Sequence, residues 1–251
     1  IIGGYDRSAR DQHQTPGENM FTYRPFRRHC KALPTHSRQV SSNQPHTHHR
    51  LASVVGRHLH TVNRAPISRH SLQAYRVLAN ELSAKPRPVV LDSFCGTGLS
   101  TAALAARYPG HLVIGIDKSA ARLNKHTGEP ADNCLLLQAD CGEVWKLLAA
   151  DGCKLDRHFL LYPNPWPKAK HLQRRIHGHH TFPLLLQLGG SLELRSNWQT
   201  YVEEFGMAMF LAGIRGGICR VPQDEQPITL FEKKYRESGH NLWAYSTRIM
   251  P

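Results

Sequence analysis

Between residues 89 and 161 short runs of bulky apolar residues alternate with helix-patterned stretches, and the first three runs lead into aspartates. Val89-Val90-Leu91, Leu112-Val113-Ile114-Gly115-Ile116, Leu135-Leu136-Leu137 and Phe159-Leu160-Leu161-Tyr162 are too short for buried helices and too continuously apolar for strands with one wet face. The intervening segments Leu99–Arg107, Ser119–His126 and Glu143–Ala150 read as helices. Strand, helix and strand in this order demand right-handed crossovers, so the chain must build a parallel sheet covered on both faces. Ligands then collect at the carboxyl ends of the strands. Ser191 to Arg195 adds a fifth strand after the Gly189-Gly190 break. Leu242 to Ile249, behind a helix closed by Gly239, reads as an added edge strand free to run antiparallel. Upstream, Ser71 is placed to cap a helix carrying Leu72, Tyr75, Leu78 and Leu82 and ending before Pro86. The expectation is an α/β fold, Rossmann-like, with a mostly parallel seven-stranded sheet and helices on both faces.

Residues 1–65 are rich in His, Arg, Gln, Ser, Thr and Pro, and their apolar residues follow neither a strand nor a helix period. This predicts a basic, His-rich, disordered extension on a catalytic domain spanning 66–251. His46, His48 and His49 lack Cys or carboxylate partners at ligand spacing, so they read as solvated and no metal site is expected. The formal charge of +13 and isoelectric point near 9.8 favour a polyanionic partner, nucleic acid first. The six cysteines form no C-x-x-C pair and sit partly in apolar runs, which predicts reduced thiols and a cytoplasmic setting. No apolar run nears the roughly 20 residues a membrane span requires, so no membrane partner is expected and a monomer is the default.

The first strand closes on Leu91-Asp92 and runs into Ser93-Phe94-Cys95-Gly96-Thr97-Gly98. Gly96 and Gly98 let the backbone approach a ligand without a Cβ in the way. The second strand ends in Asp117, where a carboxylate can accept from both hydroxyls of a ribose. The third ends in Gln138-Ala139-Asp140, which sets another polar group where an adenine would lie. A pyrophosphate would repel Asp92, whereas the ammonium of a methionine moiety is attracted to it. Asp92, Gly96, Gly98, Asp117 and Asp140 therefore favour S-adenosyl-L-methionine over a dinucleotide as cofactor.

The fourth strand runs into Tyr162-Pro163-Asn164-Pro165-Trp166-Pro167-Lys168, followed by Lys170, His171, Arg174 and Arg175. Prolines on both sides of Asn164 fix φ and hold a loop open at the strand end. Lys168, Lys170, Arg174 and Arg175 form a basic run suited to RNA phosphates. This segment resembles the Pro-Asp-Pro-Trp-x-Lys signature of the tRNA (guanine-N7)-methyltransferase family. Thr229-Leu230-Phe231-Glu232 is similar to that family's T-x-x-E segment, and Gly189-Gly190-Ser191 through Ser196-Asn197-Trp198 to its strand and following Asp-Trp turn. The resemblance spans roughly residues 60 to 250. It implies a class I methyltransferase acting on RNA, with tRNA as partner. It further implies that Asp92, Asp117 and Asp140 hold the cofactor, that Lys168, Asn197, Thr229 and Glu232 face the substrate, and that Asn164 occupies the catalytic position.

Two positions depart from the family pattern, since Asn164 and Asn197 stand where the family has Asp. A carboxylate accepts two hydrogen bonds from the Watson–Crick edge of guanine, whereas an amide offers an acceptor, donors and no charge. Guanine N7 carries no proton, so its methylation requires alignment and not a general base. Two alternatives stay open, guanine N7 or a different base or small molecule, beside a third in which the fold binds RNA without turnover.

Overall fold

The computed structural model describes residues 37–127 and 131–250. The strands are β1 (Val89–Ser93), β2 (Leu112–Asp117), β3 (Cys134–Gln138), β4 (Arg157–Leu161), β5 (Gly190–Ser196), β6 (Gly217–Arg220) and β7 (Trp243–Ile249). They form one sheet in the order β3-β2-β1-β4-β5-β7-β6. The first five run parallel, and β7 pairs antiparallel with β5 and with β6. The order reverses between β1 and β4, the point at which doubly wound sheets open a crevice at their carboxyl edge.

Alternation inside the strands explains why they were apolar throughout. Val89, Leu91, Leu112, Ile114 and Leu160 face one core, and Val90, Val113, Phe159 and Leu161 the other. Both faces are covered by helices, so no position of β1 or β2 stays wet. The helices α3 (Leu99–Arg107), α4 (Ala120–Leu123) and α5 (Cys141–Ala150) lie where the periodicity put them, with α4 shorter than read.

The structure departs from the reading of the sequence at four places. Helix α1 (Leu51–Leu59) falls inside the segment expected to be disordered, and it buries Leu51, Val54 and Val55 against α6 (Phe182–Leu188) and α7 (Gln199–Leu211). Three apolar residues at i, i+3 and i+4 are a narrow stripe, but each contributes about 1.5–3 kcal/mol on burial. The folded domain therefore begins before residue 66, and the expectation of disorder for residues 1–36 lies outside the described residues. In α2 (Arg69–Ala84) the cap is Ser68, whose Oγ accepts from the Ser71 amide, while Ser71 is buried and Leu72 faces out. The segment read as an edge strand is β7, one place in from the edge. The edge is β6, four exposed residues with no apolar run to announce them. Finally, α6 and α7 were not assigned from the sequence at all.

The described cysteines, Cys95, Cys134, Cys141, Cys153 and Cys219, are free thiols. Among the described residues no helix is long and apolar enough to cross a membrane, and no group of three or more His, Cys, Asp or Glu is placed to hold a metal ion.

Candidate active site

β1 delivers Asp92 to the carboxyl edge with its carboxylate fully buried. Ser100 Oγ and Thr101 Oγ1, in the first turn of α3, donate to Oδ2 at 2.6 and 2.7 Å. Oδ1 is buried with no partner, an unmet acceptor beside the glycine turn. Burial pushes the Asp92 carboxyl up to about 6, although the two hydroxyls pull the other way. In the turn that follows, Gly96 takes φ +63° and a Cβ there would touch nothing within 4 Å, so open space lies over its backbone. Gly98 differs, because at φ +78° an added Cβ would lie 2.7 Å from Leu136 Cδ1 and 3.1 Å from His126 Nδ1. Gly98→Ala is expected to lower stability by about 1–2 kcal/mol from the left-handed backbone alone, read as a lower urea midpoint.

β2 ends in Asp117, buried, with Gly96 N donating to Oδ2 at 2.9 Å and Ser119 N to Oδ1 at 2.8 Å. Arg122 Nη2 approaches Oδ1 at 2.8 Å from α4. The carboxylate thus ties the glycine turn to the end of β2. Ala139 N donates to the Asp117 carbonyl at 3.1 Å, which brings the end of β3 to the same edge. There Asp140 caps α5, with Oδ1 accepting from Gly142 N and Glu143 N, and Oδ2 faces Lys118 Nζ at 3.6 Å. Asp92, Gly96, Gly98 and Asp117 form one cradle, and Asp140 flanks it with one oxygen outward.

β4 runs into Tyr162, whose ring is buried against Tyr235 at 5.7 Å while its amide donates to the Arg195 carbonyl. Asn164 is exposed on the loop beyond, and its Oδ1 accepts from Trp166 N at 3.3 Å, leaving its amide donors outward. Lys168, Lys170 and Arg174 are exposed, and the Arg174 guanidinium lies 4.9 Å over the Trp166 ring. Arg175 does not join them. It is buried, pairs with Glu204, stacks 4.9 Å over Trp198, and donates to the carbonyls of Trp166 at 3.2 Å and Lys168 at 3.4 Å. The expectation that Arg175 contacts substrate is corrected, since every direction of its fork is taken internally. It braces the loop that carries Asn164.

Two more residues expected to face the substrate lie at the start of α8 (Leu230–Glu237). Thr229 Oγ1 accepts from Glu232 N at 2.9 Å and caps the helix. Glu232 is buried between Arg195 at 3.0 Å and Arg236 at 2.7 Å, so it anchors α8 and does not face substrate. Asn197 is half-buried at the end of β5, paired with His240 Nδ1 at 3.2 Å.

Sequence reasoning missed the segment before α1. Ser42 Oγ donates to the Pro167 carbonyl at 2.6 Å, Asn43 Oδ1 accepts from Ala169 N at 3.1 Å, and Gln44 Nε2 donates to Glu204 Oε1 at 2.6 Å. Polar residues that become internal leave no periodic trace. It also missed three left-handed residues that are not glycine, Phe94, Tyr162 and Trp166. A Phe among glycines in a ligand-binding turn was the one available signal.

A parallel sheet with a reversed order at β1 and β4, and an acid–glycine–acid cradle at its carboxyl edge, define a Rossmann-like class I methyltransferase, the class that draws on S-adenosylmethionine. The model of a family described as "Putative methyltransferase" matches residues 86–245. The chain is 31% identical over 188 residues to the tRNA (guanine-N(7)-)-methyltransferase of Zymomonas mobilis, covering 68% of this chain and 79% of that one. With the protein of the same name from Saccharophagus degradans it shares 32% over 175 residues, 65% of this chain and 76% of the other. The chain belongs to the tRNA (guanine-N7)-methyltransferase family. The fold alone is shared with a 16S rRNA (adenine(1408)-N(1))-methyltransferase of Catenulisporales acidiphilia, at TM-score 0.51 and 16% identity over 70% of this chain and 92% of that one.

Proposed function

We propose that this protein methylates N7 of a guanine in tRNA in the cytoplasm, with S-adenosylmethionine as donor. The observation that carries the donor half is the unmet Asp92 Oδ1 beside the uncovered backbone of Gly96. A buried acceptor without a partner is costly, and a cationic ammonium is the group that would relieve it. Family membership supports the guanine and the tRNA.

S-adenosylmethionine supplies an electrophilic methyl group on a sulfonium. Gly96 would allow its close approach, and Asp117 and Asp140, at the ends of β2 and β3, would hold its ribose and adenine parts. Lys168, Lys170 and Arg174 neutralise phosphates of the RNA at the crevice mouth, which accounts for part of the +13 charge. Because N7 has a lone pair and no proton, the protein's task is to hold base and methyl in line. The loop braced by Arg175 does this, with Asn164 donating from its free amide to an acceptor on the base edge.

Incubation with labelled S-adenosylmethionine and unmodified tRNA transcripts is expected to yield 7-methylguanosine on nucleoside analysis. No labelled nucleoside from any tRNA would overturn the reading. A second reading, a different methylated base, is favoured by Asn164 presenting donors where the family has a carboxylate. A product other than 7-methylguanosine, converted to 7-methylguanosine by N164D together with N197D, would establish it.

A further inference from the structure

Among the described residues, those that are not glycine and yet take a positive φ are Phe94 at +64°, Tyr162 at +53° and Trp166 at +47°. All three are aromatic, and all three sit at the carboxyl edge of the neighbouring strands β1 and β4. Phe94 lies two residues beyond Asp92, the last residue of β1 paired with β4, and the next amide, Cys95 N, bonds back to the Ile116 carbonyl of β2. Left-handed backbone is costly for a side chain as bulky as Phe, and it persists at sites where the surroundings use it.

Two of the three have packing to explain them. Tyr162 is buried against Tyr235, and Trp166 lies beneath Arg174 with His171 edge-on at 5.5 Å. Phe94 is more exposed than either of them. Its side chain is 37% exposed, and its ring meets Trp145 edge to face at 5.8 Å and 86°. Glycine would make the same turn without strain, as Gly96 does two residues on. The chain therefore holds an exposed aromatic in a strained conformation inside the turn that joins Asp92 to Gly96.

We propose that Phe94 is the stacking platform for an unpaired nucleobase of the RNA substrate, seated beside the donor cradle. This rests on the RNA-methylating function proposed above and adds the residue that receives the base. Stacking on an aromatic tolerates every base, so the platform positions the base and leaves selection to groups such as Asn164. The edge-to-face contact with Trp145 orients the ring before the base arrives, so less rotamer freedom is lost on binding.

The test compares wild type, F94G, F94A and F94Y in three measurements. These are the affinity for S-adenosylhomocysteine, the KM for unmodified tRNA transcripts, and the fluorescence of a single-stranded RNA carrying 2-aminopurine. F94G removes the ring and relieves the backbone, so it is expected to melt above F94A and to be folded. Both are expected to raise the KM for tRNA about 5- to 150-fold, the range that one base–aromatic stack contributes, with F94Y near wild type. The 2-aminopurine signal is expected to be quenched by wild type and F94Y and not by F94G. Unchanged KM and quenching in F94G, or a loss confined to S-adenosylhomocysteine affinity, would overturn the platform. Quenching that depends on Phe94 without any methylated product would keep the platform and sink the tRNA reading instead.

Discussion

Glu204→Ala is expected to destabilise the protein by about 3–5 kcal/mol, because it leaves the Arg175 guanidinium buried and unpaired. For a chain of this size that is a fall of roughly 6–20 °C in Tm. Glu204 accepts from Arg175, from His177 Nε2 at 2.9 Å, from Gln44 Nε2 at 2.6 Å and from the His48 amide at 2.7 Å, all out of water. Burial by itself would raise its pKa, but the hydrogen bond from His177, the charges of His177 and Arg175 and the His48 amide hold it down to about 2. A depressed carboxyl contributes stability that is fully present above its unfolded value near 4.5 and is lost as pH falls towards 2. Urea midpoints measured across that window should drop for wild type and stay nearly flat for Glu204→Gln. A flat wild-type profile would mean that the carboxylate is not held in this network.

The second large effect is on the donor. Asp92→Asn is expected to weaken binding of S-adenosylhomocysteine roughly 10- to 150-fold, the worth of one charge-assisted hydrogen bond. The free protein should not lose stability. A carboxyl raised to about 6 by burial favours its protonated form in the fold, so this group's contribution declines as pH rises through 6 and the neutral Asn removes that decline. For binding the sign is opposite. Ligand affinity should be level above about pH 6 and fall by up to about tenfold per unit below it, as Asp92 gains a proton that an ammonium must displace. Calorimetric titrations of wild type and Asp92→Asn at several pH values check both. Affinity that is flat with pH and unaffected by Asp92→Asn would confine Asp92 to tethering Ser100 and Thr101.

The sheet and the acid–glycine turn at its carboxyl edge were readable because their signals are local. A strand buried on both faces must be apolar at every position, as β1 and β2 are, and an acid at a strand end before a glycine turn has few other uses. What stayed hidden depends on whether a polar group ends inside or outside, which residue type does not say. Arg175 sits in a run with Lys168, Lys170 and Arg174 and is indistinguishable from them in the sequence. Only the arrival of Glu204 from α7 and Trp198 from the end of β5 turns it inward. Glu232 likewise is implied by the family resemblance to face the substrate and is enclosed by Arg195 and Arg236. Helix α1 was missed for the same reason, because its three core residues are diluted by Ala52, Ser53 and Arg57, which turn outward.

The bond between Gln44 and Glu204 joins residues 160 positions apart, and this has a consequence for how the protein comes off the ribosome. At about 5–20 residues per second, Gln44 is made roughly 8–30 s before its partner. Until then the stretch around Ser42 and Gln44 has nothing to dock on, and the loop bearing Asn164 has no brace. The crevice is thus among the last parts of the molecule to set, after the sheet that supports it. A nascent chain would carry a formed donor cradle before it could hold a base in place.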